Sequence, residues 1–277
     1  MKATVTNFSG GLLIEVEGRR GWAPGVDIDA VFTASDPLGY VDDLLRTATP
    51  EGPPPGQQGL APIGSQEVWA AGVTYLRSRV ARVAESRDAG GATFYDLVYD
   101  AERPELFFKA TPHRVVGDGG TVRIRADSTW NVPEPELVLA VSPDGRIIGC
   151  TVGNDMSSRS IEGENPLYLP QAKVYSACAG IGPHLVVTDA LPEAPTAIRM
   201  EIRRAGDTAF TGSTTVSQIR RPLDSLVDWL LADNEFPHGV YLMTGTGIVP
   251  PDDFTLDHGD EIRIEIDGIG TLANHVV

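Results

Sequence analysis

Three carboxylates carry the chemistry that this sequence is best suited to perform. Glu134 and Glu136 lie one residue apart in the run Pro-Glu-Pro-Glu-Leu, and Asp155 ends the run Val-Gly-Asn-Asp. Three anionic oxygen ligands suit a hard divalent cation, with Mg²⁺ the first choice and Mn²⁺ or Ca²⁺ possible. About three of six octahedral positions would then stay open to water or substrate. The residues therefore predict a catalytic metal site, provided that the fold brings them together.

A predicted β-hairpin connects the two acidic segments. Two apolar runs flank the Asp-Gly pair at 144–145, which is a strong short-range hairpin signal. If Ser142 faces Ile147, a constant register places Glu134 directly opposite Asp155, and opposed residues share one face of the hairpin. The second glutamate lies two residues further along the strand and therefore on the same face. The turn thus predicts that all three acids meet at the open end of the hairpin.

Two alternatives weaken this prediction. Glu-x-Glu pairs are common on solvated strand faces, and a one-residue bulge would move Asp155 to the other face. Pro133 and Pro135 favour irregular pairing at this end, because proline cannot donate to a β-ladder. Like charges so close together repel, and the third acid opposite the pair therefore favours a bound cation over a solvated surface.

Composition restricts the class of protein. The 277 residues fit one large domain or one domain with a small appendage. The 38 acidic and 22 basic residues give a formal net charge of −16, which argues against nucleic acid or an anionic membrane as a partner. Cys150 and Cys178 show no metal or redox spacing, and the sequence shows neither signal-peptide pattern nor transmembrane run. We therefore expect a cytoplasmic enzyme with two free buried thiols.

Proline and glycine mark one linker in the chain. They occupy most of residues 50–59 and disfavour both helix and sheet there. We therefore predict a small N-terminal domain with its linker at 1–65 and a main domain at 66–277. Before the linker, the pattern predicts a strand at 12–16 and a helix near 41–46.

Strands dominate the predicted main domain. Apart from the hairpin, they are expected at residues 68–73, 122–124, 185–187, 197–203, 240–243 and 261–266. One helix follows Pro222, shows an apolar stripe at helical spacing, and is expected to end at Pro237. Many strands with few long helices predict a mainly β fold with α+β elements, in which a mixed sheet closes into a roll or sandwich.

The order of several motifs resembles the fumarylacetoacetate hydrolase superfamily over roughly residues 66–277. The motifs are Pro104–Lys109, Pro133–Leu137, Val152–Arg159, Ala172–Lys173, Gly180–Pro183, Met243–Gly247 and His258–Asn274. Residues 72–79 and 159–175 are most similar to the branch of 2-keto-3-deoxy sugar acid (arabinonate or xylonate) dehydratases. The resemblance implies a fumarylacetoacetase C-terminal-like mixed β-roll, a Mg²⁺ ion and a dimer, and we expect a homodimer or homotetramer.

The same resemblance implies roles for individual residues. It selects the same three metal ligands that the hairpin predicts, and it matches Lys173 to a substrate-facing lysine. Thr246 matches a threonine that contacts the substrate carboxylate, although its flanking glycines also fit an ordinary turn. Asn154 is expected to orient a metal ligand by a hydrogen bond.

One segment departs from the superfamily pattern. Hydrolases typically carry Asn-Tyr-x-x-His after the first core strand, and the histidine activates water; here Ser78 stands in its place. This weakens a hydrolase interpretation, whereas a dehydratase needs no activated water. We expect Tyr75, Arg77 and Arg79 on a lid over the pocket, with an arginine facing the anionic end of the substrate. The alternative is that these arginines are solvent-exposed, as arginines on loops mostly are.

The function that follows is the dehydration of a 2-keto-3-deoxy-pentonate to 2,5-dioxopentanoate through a metal-stabilised enolate. Two residues are candidates for the base that removes the C3 proton. A metal beside Lys173 would favour a neutral amine, and Glu105 lies at the edge of an apolar strand. The sequence leaves both open. The alternative functions are an acylpyruvate hydrolase, an oxaloacetate decarboxylase, or a non-catalytic protein with a structural cation.

Overall fold

The computed structural model describes residues 1–78, 97–192 and 195–277, which form two mixed β-sheets. The strands are β1 (Lys2–Phe8), β2 (Gly11–Val16), β3 (Arg19–Pro24), β4 (Glu67–Gly72), β5 (Glu105–Ala110), β6 (Val115–Val116), β7 (Gly120–Val122), β8 (Asn131–Val141), β9 (Ile147–Ser158), β10 (Ala179–Thr188), β11 (Ala197–Arg204), β12 (Asp207–Thr215), β13 (Val240–Met243), β14 (Glu261–Ile266) and β15 (Gly270–Val276). The helices are α1 (Asp29–Thr33), α2 (Pro37–Thr47), α3 (Arg159–Glu164), α4 (Leu169–Lys173) and α5 (Leu223–Leu231). Short 3₁₀ turns lie at Pro112–Arg114, Pro166–Tyr168 and Val216–Gln218.

The larger sheet runs in the order β3-β2-β1-β10-β9-β8-β13-β4-β5, with β6 beside β10. The smaller sheet runs in the order β12-β11-β14-β15-β7. In the described chain, the pairs β4–β13, β6–β10 and β7–β15 are parallel and the other pairs are antiparallel. The prediction of a mainly β fold with mixed sheets is confirmed.

The long hairpin β8–β9 lies between two hydrophobic cores. On one face, Leu137 and Leu139 pack with residues of the smaller sheet and of α5. On the other face, Val138 and Ala140 pack with β1, β2 and the helices α1 and α2. Every residue of β8, and every residue of β9 after the first, is buried. Burial on both faces explains why the hairpin sequence is apolar almost without interruption away from the acids.

The pairing of β8 with β9 confirms the predicted position of the acids. Glu134 pairs with Asp155 and Glu136 with Gly153, and the ladder is unbroken along this half of the hairpin. The irregularity that the two prolines were expected to cause is not found. The three acids therefore lie on one face at the open end of the hairpin.

At the turn end, the predicted pairing was wrong by one residue. Val141, and not Ser142, pairs with Ile147. Ser142 instead closes the turn, because its backbone N–H donates to the Arg146 carbonyl at 2.9 Å and its hydroxyl accepts from the Arg146 N–H at 3.1 Å. A bulge then leaves Ile148 unpaired on β9 and restores the predicted register.

Most other predicted elements are found, with shifted ends. Helix α5 begins directly after Pro222 as predicted but ends at Leu231, well before Pro237. The reason is local, since Ala232 adopts an extended backbone and Asp233 a left-handed one with φ of 55°. The strand predicted at 122–124 overlaps the observed strand only at Val122, because β7 spans Gly120–Val122.

The N-terminal strands extend the larger sheet, because β1 pairs with β10. Residues 50–59 contain neither helix nor strand, as their proline and glycine content predicted. The division of the chain after residue 65 stays a prediction. Among the described residues, no helix is long and apolar enough to cross a membrane.

Candidate active site

Glu134, Glu136 and Asp155 form a buried cluster, here called the acidic triad. One carboxylate oxygen of each residue lies within 4.8 Å of those of the other two. The triad is at most 3% exposed, so its charges are largely removed from water. Buried charges of one sign are stable only where cations or hydrogen-bond donors compensate them.

Two basic side chains from the helices after β9 compensate the triad. Lys173, at the end of α4, places Nζ 2.6 Å from Glu134 Oε2 and 2.8 Å from Asp155 Oδ2, and also donates to the Ser157 hydroxyl. Arg159 begins α3 directly after β9 and places Nη2 2.7 Å from Glu134 Oε1. The Lys173 ammonium thus already bridges two triad carboxylates, as a shared cation would.

Glu136 is the least compensated member of the triad. The backbone N–H of Gly245 donates to its Oε2 at 2.5 Å, from the segment that follows β13. Burial, and next to it the charges of Asp155 and Glu134, raise the pKa of Glu136 well above its usual range. Its carboxylate form therefore gains most from an additional positive charge.

The triad meets the requirements of a Mg²⁺ site. Its donors are three carboxylate oxygens on one face, the ligand type that hard divalent cations prefer. The space for solvent inside the surrounding cleft amounts to about 20 Å³, which is room for one water molecule or one small cation.

The cleft brings most of the predicted site residues together. Its lining consists of Ala71, Gly72, Val73, Ser78, Glu105, Phe107, Glu134, Glu136, Asp155, Glu162, Lys173, Gly245 and Thr246. Glu105, at the start of β5, extends over Gly72, where a Cβ atom would lie 1.9 Å from the Glu105 Oε2. Glycine at position 72 therefore makes room for this carboxylate. Both candidate bases, Lys173 and Glu105, thus lie in one cleft with the acidic triad.

Other predicted site residues are placed less directly. Thr246 lines the cleft, and its hydroxyl forms a local turn with the backbone of Ile248. Tyr75 is fully buried, and burial, with a smaller contribution from Glu136, raises the pKa of its hydroxyl. Arg77 is exposed, and Arg79 lies outside the described residues. The roles of these residues stay predictions.

Two further residues bear on earlier expectations. Asn154 lies on the opposite face of β9 from Asp155, and its amide donates to Asn274 Oδ1 at 3.2 Å. Asn154 could therefore orient Asp155 only through the backbone that the two residues share. Ser78 lines the cleft and bonds the backbone of Tyr75, and no histidine is among the described lining residues.

Sequence reasoning missed several groups at the site. Lys109 contacts Asp155, and Arg159 contacts Glu134, although both lie in motifs that carry the family resemblance. Glu162 lies three residues after Arg159, and both are buried on one face of the short helix α3. No local pattern in the sequence singles out Lys109 or Arg159 among the 22 basic residues as partners of the acids. Nothing local in the sequence indicates the Gly245 N–H as a ligand of Glu136.

Comparison with known proteins decides the family. The fumarylacetoacetate (FAA) hydrolase C-terminal family model matches residues 67–277. The chain belongs to the fumarylacetoacetate hydrolase family. Within this family, a probable 2-keto-3-deoxyxylonate dehydratase of Haloferax volcanii is 49% identical over 217 residues, which cover 78% of this chain and 73% of that protein. A 2-dehydro-3-deoxy-D-arabinonate dehydratase of Saccharolobus solfataricus is 43% identical over 218 residues, with the same coverage.

A solved structure of the family extends the likeness to the whole fold. It is a 2-keto-3-deoxy-D-arabinonate dehydratase in complex with magnesium and 2,5-dioxopentanoate. It superposes with a TM-score of 0.81 and 33% identity, over 100% of this chain and 98% of that one. The predicted family, its dehydratase branch and its fold are therefore confirmed.

Proposed function

We propose that this protein is a metal-dependent hydro-lyase that converts a 2-keto-3-deoxy-pentonate into 2,5-dioxopentanoate. The observation that carries the proposal is the acidic triad, which lies in one cleft with two proton-transfer candidates, Lys173 and Glu105. The dehydratases among its relatives act on this class of substrate, as their names state.

Glu134, Glu136 and Asp155 would hold the metal, for which Mg²⁺ is the first choice. When bound, the ion supplies Lewis-acid polarisation of the substrate 2-oxo group, which acidifies the protons on C3. The protein side chains bind the acid, orient it and move its protons. Burial of the triad excludes water and strengthens each electrostatic contact at the reacting carbons.

Elimination removes a proton from C3 and hydroxide from C4, and together they leave as water. Either Glu105 or Lys173, the latter as the neutral amine that a metal beside it would favour, takes the C3 proton. The electron pair of the C–H bond forms the C3–C4 double bond as the C4 hydroxyl departs. Removal of a C5 proton and return of a proton to C3 then shift the double bond to C4–C5. The resulting enol tautomerises to the aldehyde of 2,5-dioxopentanoate.

The positive side chains of the cleft also bind the substrate. Lys173, which contacts Glu134, Asp155 and Ser157, would bind the anionic end of the substrate. Thr246 lines the same cleft and is the second candidate for the substrate carboxylate. The hydrolase alternative is disfavoured, because Ser78 stands in place of the water-activating histidine of the hydrolases, and this replacement argues only weakly against the decarboxylase.

The proposed activity is tested by a coupled assay. Purified protein, Mg²⁺ and each C4 epimer of 2-keto-3-deoxypentonate are mixed, and 2,5-dioxopentanoate is followed through an aldehyde dehydrogenase. We expect product from at least one epimer, its loss on addition of a chelator and its recovery with Mg²⁺. No product from either epimer, together with rapid cleavage of an acylpyruvate, would overturn the proposal.

The choice of base is tested by hydrogen exchange on a simple 2-oxo acid. Pyruvate in D₂O with Mg²⁺ should exchange its methyl protons in the presence of the enzyme, as measured by ¹H NMR. Exchange that is lost in Glu105→Gln and retained in Lys173→Met identifies Glu105 as the base; the converse identifies Lys173. Mg²⁺ binding is measured for both variants, so that loss of the metal is not mistaken for loss of the base.

We also propose that the enzyme acts in the cytoplasm as a homodimer or homotetramer on a small 2-oxo acid. Cys150 and Cys178 support a reducing compartment, because both are buried and free. The net charge of −16 speaks against nucleic acid or an anionic membrane as partner. Sedimentation equilibrium would give the oligomeric state directly.

A further inference from the structure

Lys109 is a fully buried lysine beside the acidic triad for which the reaction provides no role. Its Nζ lies 2.6 Å from Asp155 Oδ1. The same ammonium donates to the carbonyl of Met156 at 2.8 Å and to the carbonyl of Lys173 at 2.6 Å. The charge of this buried ammonium is compensated by the ion pair with Asp155, and two of its protons are matched by the two main-chain carbonyls. Lys109 therefore joins three elements of the site, namely β5, β9 and the end of α4.

The backbone directs Lys109 to this point by a β-bulge. Trp69 of β4 pairs with Phe108, and Val68 pairs with Ala110, so that Lys109 is the extra residue of β5. Bulges occur next to active sites, where they redirect one side chain without moving the rest of the strand. The bulge thus directs Lys109 to Asp155, while β5 also supplies Glu105 to the cleft.

The two lysines at Asp155 differ in how they are held. Lys173 contacts Asp155 Oδ2 and lines the cleft, where its partners include the side chains of Glu134, Asp155 and Ser157. Lys109 contacts the other oxygen, and both of its hydrogen bonds go to main-chain carbonyls, which cannot rotate away. One cation is therefore anchored to the backbone, and the other shares the oxygens that a metal would use.

We propose that Lys109 is a positioning residue for the metal site. It fixes the carboxylate of Asp155 by one oxygen, so that the other oxygen lies at Lys173 Nζ, which also contacts Glu134 Oε2. It also fixes the end of α4, through the carbonyl of Lys173, and so sets where the Lys173 side chain begins. This inference rests on the proposed function only in requiring that the acidic triad binds a divalent cation.

The sign of the change in metal affinity separates positioning from simple charge compensation. A lysine that only neutralises Asp155 competes with a cation, and its removal should tighten Mg²⁺ binding. If the lysine orients Asp155, its removal should weaken Mg²⁺ binding, typically 10- to 100-fold for groups that support a metal ligand. Lys173 provides the matched control, because it is also buried and also contacts Asp155.

The experiment is a calorimetric titration of Mg²⁺ into the folded wild type, Lys109→Met, Lys109→Arg and Lys173→Met, each without substrate. We expect Lys109→Met to bind Mg²⁺ about 10-fold or more weakly than wild type. Lys173→Met should bind it at least as tightly as wild type. Lys109→Arg keeps the charge but changes the donor geometry, so we expect it to fold and to bind Mg²⁺ several-fold more weakly.

Each outcome is decisive. Wild-type or tighter affinity in both Lys109 variants would overturn the positioning role while leaving the proposed function intact. If Lys109→Met does not fold, which circular dichroism would show, Lys109→Arg decides alone, and an unchanged affinity there overturns the proposal. Absence of Mg²⁺ binding in the wild type would overturn the metal site itself and this inference with it.

Discussion

The two ends of one hairpin face use burial in opposite ways. At the open end of the hairpin, β8 places Glu134 and Glu136 on this face. Further along the strand, towards the turn, the same face carries Val138 and Ala140. All four side chains are buried. The apolar end needs only packing, whereas the acidic end needs cations from other elements of the fold.

Those cations come from outside the hairpin. Arg159 and Lys173 come from the helices that follow β9, and Lys109 comes from the bulge of β5. Local sequence therefore places the acids, but only the tertiary fold makes their burial stable. We therefore expect substitutions at the acidic end to lower activity more than stability. We expect substitutions at the apolar end to lower stability more than activity.

The largest expected effect is at the acidic end. Glu136→Gln removes a charged metal ligand without changing the shape of the side chain, and we expect kcat/KM to fall by at least about 10³-fold. The matched control is Asp144→Asn, the same acid-to-amide change at the exposed turn, which should retain activity. Turnover at the wild-type rate in Glu136→Gln, with folding verified by circular dichroism, would exclude Glu136 from the site.

At the apolar half, the expected loss is in stability. Leu139 lies at the apolar end of β8 on its opposite face, where it is fully buried in the core between the two sheets. Leu139→Ala should lower the free energy of unfolding by about 3 kcal/mol, within the range for buried leucines. Denaturant titration measures this loss, and activity per folded molecule should stay within about twofold of wild type. A 10-fold loss of activity in the folded variant would show that the two ends are not independent.

The smallest effect is expected at the turn. Gly145 has φ of 84°, and a Cβ there would lie 2.7 Å from Leu231 Cδ1 on α5. Gly145→Ala should therefore lower the free energy of unfolding by about 1–2 kcal/mol, again with unchanged kcat/KM. An equally stable variant would mean that the turn does not depend on a left-handed residue at this position.

The register of the site could be predicted from the sequence, although by a route that was partly wrong. The predicted pairing of Ser142 with Ile147 is off by one residue, and the bulge at Ile148 compensates for that error. A bulge of this kind depends on how the turn packs against its surroundings, which the hairpin pattern does not contain. Because the bulge restores the predicted register from Ala140 onward, the predicted pairing of Glu134 with Asp155 was nevertheless correct.

The regular pairing at the prolines also has a physical reason. Opposite Pro133, the Met156 N–H points away from β8 and donates to the Cys178 carbonyl at 3.1 Å. This pair therefore exchanges no hydrogen bonds. The missing proline N–H would face the side of β13, which pairs with β8 only at Val138–Val141. The sequence shows the prolines but not where a neighbouring strand ends.

Charge compensation was the part of the site least accessible to prediction. The basic partners of Asp155 and Glu134 are 18 to 46 residues away along the chain, and Lys109 reaches Asp155 only because of a bulge. Family motifs identified Lys173, but they gave Lys109 and Arg159 no role. Contacts of this kind follow from strand order and helix placement, which hydrophobic periodicity does not fix.

The central claim is that three buried carboxylates hold one divalent ion and leave it open to a 2-oxo acid. A crystal structure with Mg²⁺ and pyruvate tests this most directly. We predict one ion bound by Glu134, Glu136 and Asp155, with the carboxylate and carbonyl oxygens of pyruvate on its remaining positions. Three carboxylates that lie apart, or an ion already saturated by protein atoms, would contradict the account.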